Sequence, residues 1–374
     1  MSQSVTCEFR PEYMMRYSQF APRLYNYCRS LGFEAGNIMP SRAFCSDESQ
    51  GFPVILIAKH FGAFPFNHGQ VGGIVATDRH GPHAHHGKDL VVIQASHVGY
   101  DPDSGRFGEY CRLQTEDNHR TTTCGKLGEL LRWYQQEYEF ARDNIQLTEE
   151  QGVEAVVVDN QLLDQRRLEG LFPRLDRLLA LDSEGLPRLV RTLSTARVFV
   201  AAASLIERTE PEFWRPGGRE PIGDALSSDL FSFRRPDGDA QSVRDQLEEN
   251  LLPHMPEIVT SPAPLLSAAQ FNTQAEFDRT FRSIAKAREY RDKKLLFVSC
   301  VNIDISPEPG QLFPLTKCVP WAAYVQDGQG NARTLEQAEL LAELLNQPAD
   351  NPDQIDLEVA IQQMIDAREV RIRV

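Results

Sequence analysis

The sequence lacks the features that would send it into a membrane or out of the cell. No stretch approaches the ~18 consecutive apolar residues of a membrane-spanning helix. The N-terminal MSQSVTCEFRPEYMMRYSQF has neither the charged start nor the apolar run of a secretory signal. A cytoplasmic chain without membrane contact is expected. Basic patches are missing too. The formal charge is -14, and short runs such as Arg166-Arg167 sit among acids as solvated helix faces. Such a surface repels phosphate backbones, so no nucleic-acid partner is expected. No CxxC pair occurs, and an odd count of seven cysteines argues against a disulfide framework. No repeat of fixed period is found.

What is present is concentrated. Of nine histidines, eight fall between residues 60 and 119, and only His254 lies outside. Cys45, Cys111 and Cys124 lie in or beside that window. Soft metal-binding side chains are therefore gathered in the first third of the chain. Hydrophobic residues at 41% and charged residues at 25% fit an ordinary globular protein, and 374 residues suggest two domains.

Residues 11–32 read as one or two helices ended by Gly32. The short apolar runs 53–58 (PVILIA) and 89–97 (DLVVIQASH) read as buried strands, the second ending on His97. A Gly-, Pro- and His-rich loop separates them. A helix over 124–143 begins at Cys124, a strand covers 153–159, and helices are expected at 161–180 and 185–207. Strands alternating with helices indicate an α/β fold. The Pro- and Gly-bearing stretch 208–240 is taken as a boundary, giving domains 1–207 and 208–374. In the second, helices are expected near 241–252, 274–292, 334–346 and 355–367. Strands are expected at KKLLFVSCVNIDI, KCVPWAAYVQD and VRIRV. The likeness of LLFVSCVNIDI to LVVIQASHVGYD reads as a chance match of two strand ends in preference to an old duplication. Cys300, Asp304 and Cys318 flank apolar strands and read as structural.

Cys45, His97 and Cys124 each fall at the edge of an expected element, and sites in open α/β sheets form beyond the strand ends. A helix start also lowers a cysteine's pKa. Two thiolates and one imidazole suit zinc, and three protein ligands leave a fourth position for water, the pattern of a catalytic ion. Zinc brings the pKa of that water to about 7. Each residue alone is more often a buried thiol or a structural histidine; the conjunction favours a metal. Cys111, 14 residues after His97, is the rival third ligand.

The segment 61–125 resembles the limiting-CO2-inducible B/C family, the theta-type group of the beta-carbonic anhydrases. The resemblance is carried by Cys45-Ser46-Asp47-Glu48, Phe64-Pro65-Phe66 through Gly72-Gly73, and His97-Val98-Gly99. It continues through Gly105 to Gly108, Arg112-Leu113-Gln114 and Cys124-Gly125. It covers residues 40–130 well and 11–205 loosely. The resemblance implies a mostly parallel sheet flanked by helices, with an α+β C-terminal extension, and a homodimer. It implies Zn2+ held by Cys45, His97 and Cys124, with Asp47 accepting a hydrogen bond from the zinc-bound water. One departure stands out. Beta-type enzymes commonly carry Cys-x-Asp-x-Arg, and this chain has Ser49 where the arginine would stand. Arg42, Arg106 and Arg112 are candidate substitutes as partners of Asp47.

The implied activity is reversible hydration of CO2 to bicarbonate, in an apolar pocket lined by Phe44, Phe64 or Phe66. A non-catalytic zinc protein binding bicarbonate or a partner is the alternative, and another zinc hydrolase is the third reading. His80, His83, His85 and His86 are either an exposed loop that binds nothing, a proton shuttle or a second metal site. His80 is the candidate shuttle.

Overall fold

The structure, a computed structural model, describes residues 9–76, 89–111, 120–236, 245–308, 311 and 313–368. The chain divides into two compact units: Gln3–Lys126 with Ala269–Val374, and Leu127–Ala268. The boundary expected at 207/208 falls inside the second unit. The reason is strand pairing: residues read as a C-terminal extension supply central strands of the first unit.

In chain order the elements begin with β1 (Met15–Arg16), α1 (Tyr17–Ser30), β2 (Ile38–Ala43), α2 (Gly51–Phe61) and β3 (Phe66–Asn67). Next come β4 (Asp89–Asp101), β5 (Arg106–Phe107), β6 (Glu109–Cys111), β7 (Arg120–Thr122) and α3 (Gly125–Asn144). The second unit holds β8 (Ile145–Glu150), β9 (Val153–Asp159), α4 (Asn160–Leu163), β10 (Gly170–Pro173), α5 (Leu175–Leu178), β11 (Leu189–Thr192) and β12 (Ala196–Val200). It continues with α6 (Ala203–Arg208), β13 (Glu220–Pro221), β14 (Phe231–Arg234), α7 (Gln246–Leu251) and α8 (Met255–Val259). The chain then runs through α9 (Pro264–Lys286), β15 (Leu295–Ile305), β16 (Leu315–Gln326), β17 (Ala332–Leu335), α10 (Gln337–Leu345) and α11 (Leu357–Ile365).

The first unit is built on an eight-stranded sheet with the order β1-β16-β15-β4-β2-β3; β17 pairs with β16 and β5 with β4. Its strands β15, β4 and β2 and the edge strand β3 run parallel. This is the mixed α/β fold with a largely parallel sheet expected from sequence. Strands covered on both faces read as unbroken apolar runs, which is why β4 and β15 were legible. Val91, Ile93, Ala95, Leu296, Val298 and Cys300 face one apolar cluster with Tyr17, Phe20 and Leu24 of α1 and Ile57 and Phe61 of α2. Alternate residues face α9, where Phe277 stacks on Phe297 with ring centroids 5.4 Å apart.

Two sequence expectations fail within these elements. PVILIA is helical, within α2, because a short apolar run carries no period that separates strand from helix. Asp47 caps the 3-10 turn before it, and Gly62, at φ 71°, closes it in the left-handed region. The long helices expected over 161–180 and 185–207 are instead short helices and strands. There β12 pairs antiparallel with β9 and β11. The two strands whose ends look alike, β4 and β15, are neighbours: they pair in parallel register from Leu295↔Leu90 to Ile305↔Tyr100. The strand VRIRV lies outside the described residues. Among the described residues, no helix is long and apolar enough to cross a membrane.

The second unit is centred on a five-stranded sheet, β11-β12-β9-β8-β13, with a separate β10-β14 pair. Its strands run antiparallel, and Ala155, Val157, Ala196 and Val198 form a small core.

Candidate metal centre

Three elements of the first unit deliver the three candidate ligands. Cys45 lies just past β2, Cys124 immediately precedes α3, and His97 lies inside β4. The strand was expected to end at His97. It continues to Asp101 because β15 pairs with it as far as Tyr100 and β5 pairs with Asp101.

The side chains converge. One donor atom from each of Cys45, His97 and Cys124 lies within 4.8 Å of the other two, and all three residues are buried. The two sulfurs are 3.7 Å apart and both cysteines are free of disulfides. A tetrahedral zinc with Zn–S near 2.3 Å needs sulfurs about 3.8 Å apart, so the spacing fits the ion. His97 Nε2 is buried with no hydrogen-bond partner. A buried polar atom without a partner is costly, and a metal bond satisfies it. The donor set and its geometry therefore fit zinc. Cys111, the rival ligand, lies on β6 outside this cluster; its backbone N–H donates to Ser306 Oγ at 3.0 Å.

The electrostatics are those of a packed donor set. Contact with the Cys124 thiol lowers the Cys45 pKa to about 4 against the opposing effect of burial, helped by His97 and the Gly72 N–H. The same contact, with burial, raises Cys124 to about 12. Burial disfavours a charged His97, but the Asp304 carboxylate and the neighbouring Cys124 and Cys45 sulfurs outweigh it and raise its pKa well above normal. The Gly72 amide donates to Cys45 Sγ at 3.2 Å. Its loop is pinned from α9: Asn272 donates to the Gly72 carbonyl at 3.0 Å and Glu276 accepts from the Val75 N–H at 2.7 Å. Gly73, at φ 76°, leaves no room for a side chain: a Cβ there would meet the Ala95 carbonyl oxygen at 2.5 Å.

The residues that surround the ligands come mostly from outside the histidine-rich window. His97 Nδ1 lies 2.8 Å from Asp304 Oδ2. The same carboxylate accepts from Ser49 Oγ at 2.8 Å, from Gln50 Nε2 at 2.8 and 3.0 Å, and from Thr316 Oγ1 at 3.0 Å. Gln50 Oε1 accepts from Asn302 Nδ2 at 2.7 Å, and Asn302 Oδ1 from the Tyr17 hydroxyl at 2.8 Å. Sequence reading treated Asp304 as structural. The signal that was present was the likeness of β15 to β4, whose register sets Asn302 opposite His97 and Asp304 opposite Gly99.

Asp47, two residues after Cys45, is half-buried and accepts from the Ser49 N–H at 3.2 Å. Of its candidate partners, Arg106 pairs with Glu109 at 3.3 Å, Arg42 forms no ion pair among the described residues, and Arg112 lies outside them. His80, His83, His85 and His86 also lie outside the described residues. Phe44 is buried against Tyr17, whereas Phe64 and Phe66 are exposed.

Residues 14–181 match the family model described as "Limiting CO2-inducible proteins B/C beta carbonic anhydrases". Over those residues the chain is similar to the limiting CO2-inducible B/C family. The match stops short of β15 and β16, so the sequence-level likeness excludes the strands that carry Asp304 and Thr316. No curated protein matches the chain. Among solved structures, a variant of PtLCIB4, a homolog of the limiting CO2-inducible protein LCIB, is 12% identical. It has a TM-score of 0.50, and 86% of this chain covers 93% of that one. PtLCIB4 itself is 13% identical over 87% of this chain and 95% of that one, with a TM-score of 0.49. LCIB is 12% identical over 87% and 96%, with a TM-score of 0.42. At such identities the first similarity speaks to the fold.

Proposed function

We propose that this chain is a zinc-dependent carbonic anhydrase catalysing the reversible hydration of CO2 to bicarbonate. The observation that carries the reading is the buried Cys45, His97 and Cys124 cluster with His97 Nε2 unpartnered, in a chain similar to a family of carbonic-anhydrase type. Cys45 Sγ, His97 Nε2 and Cys124 Sγ hold the ion. When bound, zinc supplies a Lewis acid that makes a water nucleophilic near neutral pH.

The chain's own residues do the rest. The Gly72 amide tempers the charge on the Cys45 sulfur. Burial of all three ligands keeps bulk water from competing for them. Asp47 acts as the acceptor that orients a protonated nucleophile toward CO2, and His80 carries the released proton to solvent. The protein acts as a cytoplasmic homodimer.

The test is stopped-flow CO2 hydration on the zinc-loaded protein across pH 7–9. The expected result is activity above the uncatalysed rate that Cys45→Ser abolishes; background rate with zinc bound overturns the proposal. That second outcome would support the alternative, a non-catalytic zinc protein that binds bicarbonate or a partner. One observation favours that alternative: Ser49 occupies the arginine's place and its hydroxyl is committed to Asp304 rather than to Asp47.

A further inference from the structure

His97 carries its metal-facing nitrogen only if its other nitrogen is controlled. A neutral imidazole has one N–H, and a proton on Nε2 blocks the metal. The structure shows a device that places the proton. Nδ1 faces Asp304 Oδ2 at 2.8 Å, with both side chains fully buried. Gln50 Nε2 also lies 3.3 Å from His97 Nδ1. Gln50 is a donor there, as is an Nδ1–H, so only Asp304 can accept from Nδ1. Gln50 instead donates to Asp304.

Asp304 is itself held from several directions. Ser49 and Gln50 come from the turn that follows Cys45, Thr316 from β16, and Asp304 from β15. All are donors, so Asp304 meets them as an acceptor through both oxygens. Tyr17, Asn302 and Gln50 form a further chain of hydrogen bonds that fixes the Gln50 amide the right way round: its oxygen faces Asn302 and its nitrogen faces Asp304. Asn302 and Asp304 project to the same face of the sheet as His97, because the register pairs Asn302 with His97 and Asp304 with Gly99.

We propose that Asp304 is the positioning residue of the metal centre, holding His97 as the Nδ1–H tautomer with Nε2 aimed at the ion. We propose further that Ser49, where beta-type enzymes commonly carry arginine, serves to hold Asp304. The inference rests on the reading that Cys45, His97 and Cys124 bind zinc, and assigns the strands after residue 290 to building that centre. Asp304→Asn reverses the polarity of one contact. An amide nitrogen turned to Nδ1 favours the tautomer with the proton on Nε2. An amide oxygen turned to Nδ1 leaves the donors of Ser49, Gln50 and Thr316 with one acceptor fewer.

The experiment is zinc affinity by chelator competition on the full chain, paired with long-range 1H–15N spectra of the His97 ring. The expected result is zinc binding weakened about 10- to 100-fold in Asp304→Asn, the range for lost outer partners of a metal ligand. Asp304→Glu should recover part of the loss. The parent zinc form should show the Nδ1–H pattern. Ser49→Ala with Thr316→Val keeps the carboxylate and removes two of its donors. It should weaken zinc several-fold, and it serves as the test if Asp304→Asn does not fold. Zinc affinity within twofold of the parent in a folded Asp304→Asn, or in the double variant, overturns the proposal, as does an Nε2–H ring in the parent. A parent that binds no zinc instead defeats the metal reading on which the proposal rests.

Discussion

Two pairs of buried cysteines lie in the first unit, and the contrast between them shows what sets the candidate metal centre apart from a packed apolar pair. Cys45 and Cys124 meet His97 and the Gly72 N–H, and the Cys45 pKa is pulled down to about 4. Cys300 and Cys318 lie on the adjacent strands β15 and β16 within the apolar cluster against α1. Burial, then the Cys300 neighbour, pushes Cys318 well above the ordinary thiol range. Burial is common to both pairs. The difference lies in an imidazole held by a carboxylate and in a backbone donor aimed at sulfur. Along one face of β15 the environment passes from Cys300 in the apolar cluster to Asn302 and Asp304 at the polar centre.

The largest effect that separates the pairs is metal content. Cys45→Ser or Cys124→Ser should take zinc from about one ion per chain to near zero, measured by plasma mass spectrometry. Cys318→Ala should leave it unchanged. Zinc retained in Cys45→Ser, or lost in a folded Cys318→Ala, breaks the comparison.

A smaller effect concerns the loop over Cys45. Gly73→Ala puts a Cβ against the Ala95 carbonyl at a residue with φ 76°. It should destabilise the protein by roughly 1–3 kcal/mol in urea unfolding and weaken zinc with it, since the adjacent amide serves Cys45. Equal stability to the parent would contradict a loop held against the Ala95 carbonyl.

Smaller again is the cost of trimming the apolar pair. Cys318→Ala should lower stability by about 1–2 kcal/mol with no change in metal affinity, because only packing is lost.

The same contrast extends to imidazoles. His97 has a carboxylate partner. His60 is buried with the Asn351 amide at 3.3 Å, and burial, then Lys59, lowers its pKa to about 4. Its folded pKa lies below the unfolded value near 6.5, so the unfolded chain binds the proton first. The stability His60 contributes is thus complete above about pH 6.5 and is lost as pH falls toward 4. Thermal melts of the parent should decline through that window, and His60→Gln should flatten the decline. An unchanged slope in the variant would assign the acid sensitivity elsewhere.

That Cys45, His97 and Cys124 come together was legible because each is a distinctive residue type in an ordered set of family-like elements. The parallel strands β4 and β15 were legible as apolar runs. What escaped was everything that depends on which strand lies beside which. Asp304 is 207 positions from His97, and only the parallel register brings them together. Ser49 read as a missing arginine because sequence shows the vacancy at that position and not the hydroxyl's new partner. PVILIA read as a strand because six apolar residues have no period. The helix appears only through the capped turn before it and the left-handed Gly62 after it.

X-ray absorption at the zinc edge of the purified, zinc-loaded chain tests the central claim most directly. The account predicts two sulfur scatterers at about 2.3 Å and one imidazole nitrogen at about 2.0 Å, with one sulfur lost in Cys45→Ser. A first shell of nitrogen and oxygen alone in the parent would contradict it.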